Sequence, residues 1–231
     1  MKFISYMFLL FILVVIVRIL PVYLKYKKSS YKNYSNSSFL RVVMDAGLLG
    51  EFLTFYILEK KFPNAKILLN VYIPKEDNET TEIDLLMINE KGIYVFESKN
   101  YGGWIYENGK RKNWTQTFGK GKKHKFYNPV WQNYGHINAL AEYLDLSDDI
   151  FKSIIVFSKR CTLKKISGID DDVLVLRRPR LIKKIKKINK VSEDILTNYE
   201  INNLYELLIE NIMVSDEMKE KHISDIKRKL G

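Results

Sequence analysis

The stretch that most constrains this chain is residues 82 to 99, Glu-Ile-Asp-Leu-Leu-Met-Ile-Asn-Glu-Lys-Gly-Ile-Tyr-Val-Phe-Glu-Ser-Lys. Two runs rich in β-branched and aromatic residues flank Asn89-Glu90-Lys91-Gly92, which predicts two antiparallel strands around a tight turn. A loop of two residues or of four gives the same register, in which Ile88 faces Ile93, Leu86 faces Val95 and Asp84 faces Glu97. Directly opposed carboxylates, with Cβ atoms about 4.5 to 5.5 Å apart, repel unless something positive lies between them. Lys99 follows Glu97 by two residues and so shares its sheet face. Otherwise both faces are apolar, with Ile83, Leu85, Met87, Tyr94 and Phe96 on one and Leu86, Ile88, Ile93 and Val95 on the other. Such strands are buried on both sides, where a charge needs a partner. The pattern predicts a divalent cation, Mg2+ or Mn2+, between the carboxylates, because hard oxygen ligands suit those ions. A surface hairpin with opposed charges is the plainer alternative.

Residues 3 to 24 are almost entirely apolar, and at about 1.5 Å per residue such a helix crosses a bilayer core of about 30 Å. Arg18 lies near one end, within snorkelling reach of the headgroups. No small-x-small cleavage site follows, which favours an uncleaved anchor in the lipid bilayer over a secretory signal peptide. Lys25, Lys27, Lys28 and Lys32 outweigh Lys2 and the amino terminus, so the positive-inside rule places residues 25–231 in the cytoplasm of a single-pass cell-membrane protein. The expected organisation is an anchor over 1–28, a polar linker of low structural commitment over 29–38, a main domain over 39–190 and a helical extension over 191–231.

Charge then narrows the partner. The net charge of +11 favours nucleic acid or an acidic lipid surface, and its placement has to decide between them. Between Asn108 and Phe126 lie Lys110, Arg111, Lys112, Lys120, Lys122, Lys123 and Lys125 with no acid, interleaved with Trp114, Phe118 and Phe126. That mixture suits phosphates and stacked bases, and equally a solvated loop. From Arg177 to Lys190 there are eight further basic residues, again without an acid, and Arg180 to Lys190 reads as an amphipathic helix that could meet DNA, anionic lipid or water. The single cysteine, Cys161, excludes an intramolecular disulfide and a cysteine-based zinc site.

The remaining segments read as alternating helices and strands. Helical spacing from Asp45 to Phe62 includes Gly47 and Gly50, which weaken a helix and so point to a close approach. Glu51 lies beside them and, on spacing alone, reads as an exposed helical glutamate. Strands are expected at Ile67 to Ile73, Trp104 to Glu107, Asn113 to Thr117 (turning at Asn108-Gly109), Ile154 to Phe157 and Val173 to Leu176. Asn128-Pro129 starts a helix whose buried stripe is Val130, Tyr134, Ile137, Ala141 and Leu144. Gln132, His136, Ala139 and Tyr143 form a more polar stripe one step round, and Gln132 could orient a water or contact a phosphate if that stripe borders the carboxylates. A last helix is expected from Ser192, as cap, to Met213, with a helical tail to Gly231.

Four segments together resemble the nuclease-related domain, NERD, within the PD-(D/E)XK restriction-endonuclease-like superfamily. They are Gly47-Leu-Leu-Gly-Glu51, Thr81-Glu-Ile-Asp84, Gly92-Ile-Tyr-Val-Phe-Glu-Ser-Lys-Asn-Tyr-Gly-Gly103 and Phe126-Tyr-Asn-Pro-Val-Trp-Gln-Asn133. The resemblance implies an α/β (α+β) fold with a mixed central sheet flanked by helices, here preceded by the one transmembrane helix. It implies metal ligation by Asp84, Glu97 and the Ser98 main-chain carbonyl. Lys99 would position the attacking water or stabilise the scissile phosphate, Glu51 would be the acidic residue of the first helix, and Gln132 the glutamine of the helix after the core. The function expected is hydrolysis of nucleic-acid phosphodiester bonds, DNA in preference to RNA, by a membrane-anchored, Mg2+- or Mn2+-dependent nuclease. The alternatives are a non-catalytic nucleic-acid-binding or scaffold module on the same fold, and a basic helix serving only as a lipid-surface device.

Overall fold

The computed structural model describes residues 2–75, 79–107, 111–119, 121–164, 166 and 169–212. The 82–99 stretch forms β2 (Thr80–Asn89) and β3 (Gly92–Lys99), paired antiparallel with Ile88 opposite Ile93 and Leu86 opposite Val95 as expected. The paired ladder ends at Leu85 opposite Phe96, leaving Asp84 and Glu97 one step beyond it. At the turn, Asn89 Oδ1 accepts the Lys91 N–H at 2.9 Å, and Gly92 has a φ of +117°. A Cβ on Gly92 would lie 2.4 Å from the Ile150 carbonyl oxygen. Gly92→Ala is therefore expected to cost about 1–3 kcal/mol, read as a lower urea midpoint at unchanged slope.

Around this hairpin a five-stranded mixed sheet runs in the order β1-β2-β3-β7-β9. In it β1 (Lys66–Pro74) is antiparallel to β2, whereas β7 (Phe151–Phe157) and β9 (Val173–Arg177) are parallel to β3. Leu85, Met87, Tyr94 and Phe96 face α3 (Phe39–Met44), α4 (Ala46–Lys61) and α6 (Leu181–Val191). Leu86, Ile88, Ile93 and Val95 face α5 (Pro129–Leu144) and α7 (Asn198–Ile209). Asn128 caps α5 by accepting the Val130 N–H, as its sequence predicts.

Ile83 departs from the expected alternation, because it lies with Leu86 on the α5 side rather than with Leu85. The neighbouring strand slips in step, with Leu68 and Val71 on one side despite being three residues apart. Between them Asn70 has a φ of 50°, a left-handed conformation that asparagine tolerates better than most residues. The register passes from Leu69 opposite Leu85 to Val71 opposite Ile83, so the irregular position falls opposite Asp84.

A second mixed sheet, not anticipated as a separate layer, has the order β6-β5-β4-β8. Here β4 (Gly103–Tyr106) and β5 (Asn113–Thr117) are the expected pair, flanked by β6 (Lys123–Tyr127) and β8 (Cys161–Lys164). The lysine-rich β6 looks like a loop in sequence because Phe126 is its single buried residue. The Asn108-Gly109 turn lies outside the described residues. Trp114, Phe126 and Phe157 form the aromatic heart of the contact between the sheets, the Trp114 and Phe157 rings stacking at 6.0 Å.

At the amino terminus, α1 (Lys2–Lys27) contains the one helix segment among the described residues, Tyr6–Lys27, long and apolar enough to cross a membrane. A signal sequence has the same properties. The expected loose linker is not loose. It forms α2 (Tyr31–Ser35), with Tyr31 fully buried, its ring 5.1 Å from that of Phe52 and 5.7 Å from that of Phe55. The Tyr26 hydroxyl donates to the Ser37 carbonyl at 2.5 Å. The segment looks polar because its tyrosines carry hydroxyls, yet their rings are large apolar bodies.

Ser192 ends α6 instead of starting a helix, since its N–H and Oγ–H both bond to the Ile188 carbonyl. The next helix begins after Thr197, which exchanges side-chain and backbone hydrogen bonds with Glu200 in a capping box. Between them the Ile195 and Leu196 N–H groups converge on the Glu90 carbonyl, at 2.8 and 3.1 Å. Met213 and the expected helical tail lie outside the described residues.

Candidate functional site

Where β2 and β3 leave their paired ladder, the apolar sheet gives way to charge. Glu97 is 1% exposed, and its Oε1 sits 2.6 Å from Lys99 Nζ. Lys99 Nζ also donates to Gln132 Oε1 at 3.1 Å, which brings α5 to the hairpin. Asp84 Oδ2 accepts the Ser98 N–H at 2.9 Å. Asp84, Glu97, Ser98, Lys99 and Gln132 thus occupy one spot at the carboxyl end of β3.

Glu51 approaches from α4, which Asn100 and Gly50 hold in place. A Cβ on Gly50 would lie 2.8 Å from Asn100 Cβ, and Asn100 Nδ2 donates to the Ala46 carbonyl at 2.6 Å. The close approach expected from the glycines is to this asparagine. Glu51 is half-buried rather than exposed, and burial, followed by Glu82, Glu97 and Asp45, pushes its carboxyl up to about 8. Burial likewise raises Asp84 well above the usual carboxylate range, reinforced by Glu97 and Glu51. Glu97 goes the other way: burial opposes its charge, but Lys99 and His136 outweigh it and hold the carboxyl low. Burial also opposes the Lys99 ammonium, which Glu97 and Asp84 nevertheless keep firmly protonated. The cluster holds more carboxyl groups than cations, with Glu97 and Lys99 as its settled ion pair.

Three residues here were not singled out as site residues in the sequence. His136 Nε2 lies 3.3 Å from Glu97 Oε2, and its Nδ1 is 2.7 Å from Thr81 Oγ1. Asn133, fully buried, donates to the Val95 carbonyl at 3.0 Å and to Ser153 Oγ at 2.8 Å, so it ties α5 to β3 and β7. The signal for His136 was its place four residues after Gln132. Asn133 and Thr81 carry no spacing signal, because their roles depend on contacts across the fold.

The groups present fit a hard divalent cation. Glu97 Oε2 is buried with only His136 Nε2 near it, at 3.3 Å, Asp84 is raised by burial and then by the neighbouring carboxyls of Glu97 and Glu51, and Asp84, Glu97 and the Ser98 carbonyl offer only oxygen. Among the described residues no three His, Cys, Asp or Glu side chains gather around one point. A cation here would rest on Asp84, Glu97 and the Ser98 carbonyl, with water and phosphate completing its shell, the usual habit of Mg2+.

The basic residues singled out in the sequence belong to other elements. Arg111, Lys112, Lys122, Lys123 and Lys125 are exposed on or beside the second sheet, while Lys110 and Lys120 lie outside the described residues. Of the aromatics interleaved with them, Trp114 and Phe126 are buried against Phe157 and only Phe118 is exposed, so two of the three offer no stacking surface. In the second basic run Arg178 is buried, donating from Nε to Thr54 Oγ1 at 3.0 Å. Burial and then Arg160 bring its guanidinium down to about 10.

The paired strands of the mixed sheet end in two carboxylates and a lysine, and the family comparison gives that arrangement a nuclease-like class. Residues 46–158 match the family model described as nuclease-related domain, NERD. An uncharacterized protein of Bacillus anthracis is 34% identical over 186 residues, covering 80% of this chain and 85% of that one. No solved structure matches. The chain belongs to the nuclease-related domain family.

Proposed function

We propose that the protein is a divalent-metal-dependent phosphodiesterase acting on nucleic acid, DNA in preference to RNA. In this reading α1 holds it in the cell membrane and residues 25–231 face the cytoplasm. The observation that carries the proposal is the gathering of the buried Asp84, Glu97 and Glu51 carboxyls around a single lysine. A structural ion pair needs only Glu97 and Lys99, whereas Asp84 and Glu51 add mutual repulsion that exceeds what Lys99 offsets.

Asp84, Glu97 and the Ser98 carbonyl would hold Mg2+ or Mn2+, which supplies Lewis-acid chemistry, offsetting phosphate charge and making water a better nucleophile. Lys99, fixed between Glu97 Oε1 and Gln132 Oε1, presents its ammonium where charge develops on the scissile phosphate. Gln132 fixes that ammonium, and its amide N–H groups can orient the attacking water. Glu51, with a carboxyl near neutrality, is suited to carry a proton at the leaving oxygen. His136 steadies Glu97 from behind.

The test uses the full chain in detergent, incubated with DNA and with RNA in Mg2+ or Mn2+, beside Asp84→Asn and Lys99→Ala. Cleavage by the wild type that both variants lose is the expected outcome. Absence of cleavage on every substrate with nucleic-acid binding intact would replace this reading by a binding or scaffold module. A reporter fused after residue 231 should behave as cytoplasmic, and extracytoplasmic behaviour would overturn the orientation.

A further inference from the structure

The second sheet has an outer face that is largely open, with Thr117 its buried member. Cross-strand pairing places Trp104, Tyr106, Lys123, Lys125, Tyr127 and Lys164 on that one side, opposite the buried Ile105, Trp114 and Phe126. Lys123 and Trp104 fall in one row with Thr117 between them. Lys125, Tyr106 and Lys164 fall in the next row, with Thr115 between the first two. Rows two residues apart along a strand are about 6.5 Å from one another, a repeat that an extended polynucleotide can follow. Trp104 is 41% exposed and Tyr127 40%, so both present ring surface to solvent. Lys164 Nζ lies 5.7 Å from the Trp104 ring centroid, so cation and ring already share one patch.

We infer that this face binds single-stranded nucleic acid, with bases stacked on Trp104, Tyr106 and Tyr127 and phosphates held by Lys123, Lys125 and Lys164. Alternating rings and ammonium groups on an open sheet meet the two needs of an unpaired strand, a flat apolar surface for each base and a positive charge for each phosphate. A duplex hides its base faces and gains little from exposed rings. A lipid surface is the lesser fit, because among the described positions this face carries no aliphatic side chain to enter the acyl region. The face is also close to the carboxylate cluster along the chain. Trp104 follows Lys99 by five residues, at most roughly 18 Å of backbone. The inference deepens the proposed function, since it takes the nucleic-acid reading as given and names the form of the substrate and the residues that grip it.

Binding is measured with metal chelated, so that turnover plays no part. The full chain in neutral detergent is titrated by fluorescence anisotropy with an oligodeoxythymidylate of about 15 nucleotides, and separately with a duplex of the same length. The single strand is expected to bind more tightly. Trp104→Ala and Tyr127→Ala should each weaken it by roughly 5- to 100-fold, whereas Trp104→Phe retains most of the affinity. Both side chains are substantially exposed, and unchanged thermal midpoints will show that the variants fold. Equal affinity for duplex and single strand, or no loss in the two alanine variants, would overturn the inference. So would variants that lose binding to phosphatidylserine vesicles but not to the oligonucleotide, which would make the face a lipid surface. Tight binding by the wild type with no cleavage in Mg2+ or Mn2+ would sink the enzyme reading and leave this inference standing.

Discussion

Asp84→Asn is expected to make the protein more stable in chelator while removing its cleavage activity. The asparagine keeps the shape of Asp84, and its Oδ1 can still accept the Ser98 N–H. What disappears is a carboxyl whose charged form is opposed first by burial and then by Glu97 and Glu51, at the loss of a weaker attraction to Lys99. Relief of such repulsion is worth on the order of 1 kcal/mol, or about 2–4 °C in the thermal midpoint for a chain of this size. Millimolar Mg2+ should raise the wild-type midpoint and leave that of the variant nearly unmoved, because ligand binding stabilises only the form that binds. Cleavage should fall by about 10²-fold or more. Scanning calorimetry with and without the ion decides the matter, and a lower midpoint for the variant in chelator would mean that Lys99 already satisfies Asp84.

Tyr31→Ala should cost about 3–5 kcal/mol, far more than its place in a polar-looking segment suggests. Its ring is fully buried and meets Phe52 and Phe55 edge-on. Tyr31→Phe should lose little, since the Tyr31 hydroxyl reaches the Leu48 carbonyl only at 3.5 Å, the outer limit of a hydrogen bond. Tyr199→Ala serves as the control: that residue is 74% exposed and should change stability by no more than about 0.5 kcal/mol. Denaturant unfolding of the three variants in the same detergent tests the ordering. A cut before residue 36 would remove Tyr31 altogether, so a shortened chain is an unsafe reference for activity.

The hairpin was legible because period-two patterning and turn chemistry act over a few residues. Ile88 and Ile93 could be paired from spacing alone, as could the start of α5 from Asn128-Pro129. What defeats such reasoning is a choice made at a distance. The slip at Asn70 and Asp84 needs a left-handed residue that the amino-acid order permits but does not demand, and it moved Ile83 to the opposite face. The lysines of β6 concealed a strand because only Phe126 pays the cost of pairing by burial. Around the carboxylates, local order supplied Asp84, Glu97 and Lys99, while the resemblance supplied roles for Glu51, Ser98 and Gln132. His136 and Thr81 had to await the structure, since α5 meets β2 and β3 only in the folded chain.

The bond between Tyr26 and Ser37 ties the end of α1 to the globular part, which bears on reach if α1 is an anchor as proposed. Tyr26 belongs to the last turn of α1, and its ring also meets Phe39 and Phe52, at 5.5 and 5.8 Å. A free ten-residue leash would have let the globular part wander by roughly 18 Å. Without that slack, and with α1 in a bilayer, the orientation of the domain is set by the tilt of a single helix. The protein would then act as a fixed tool on a short handle, processing only what is drawn to within about 40 Å of the lipid, the span of a domain this size.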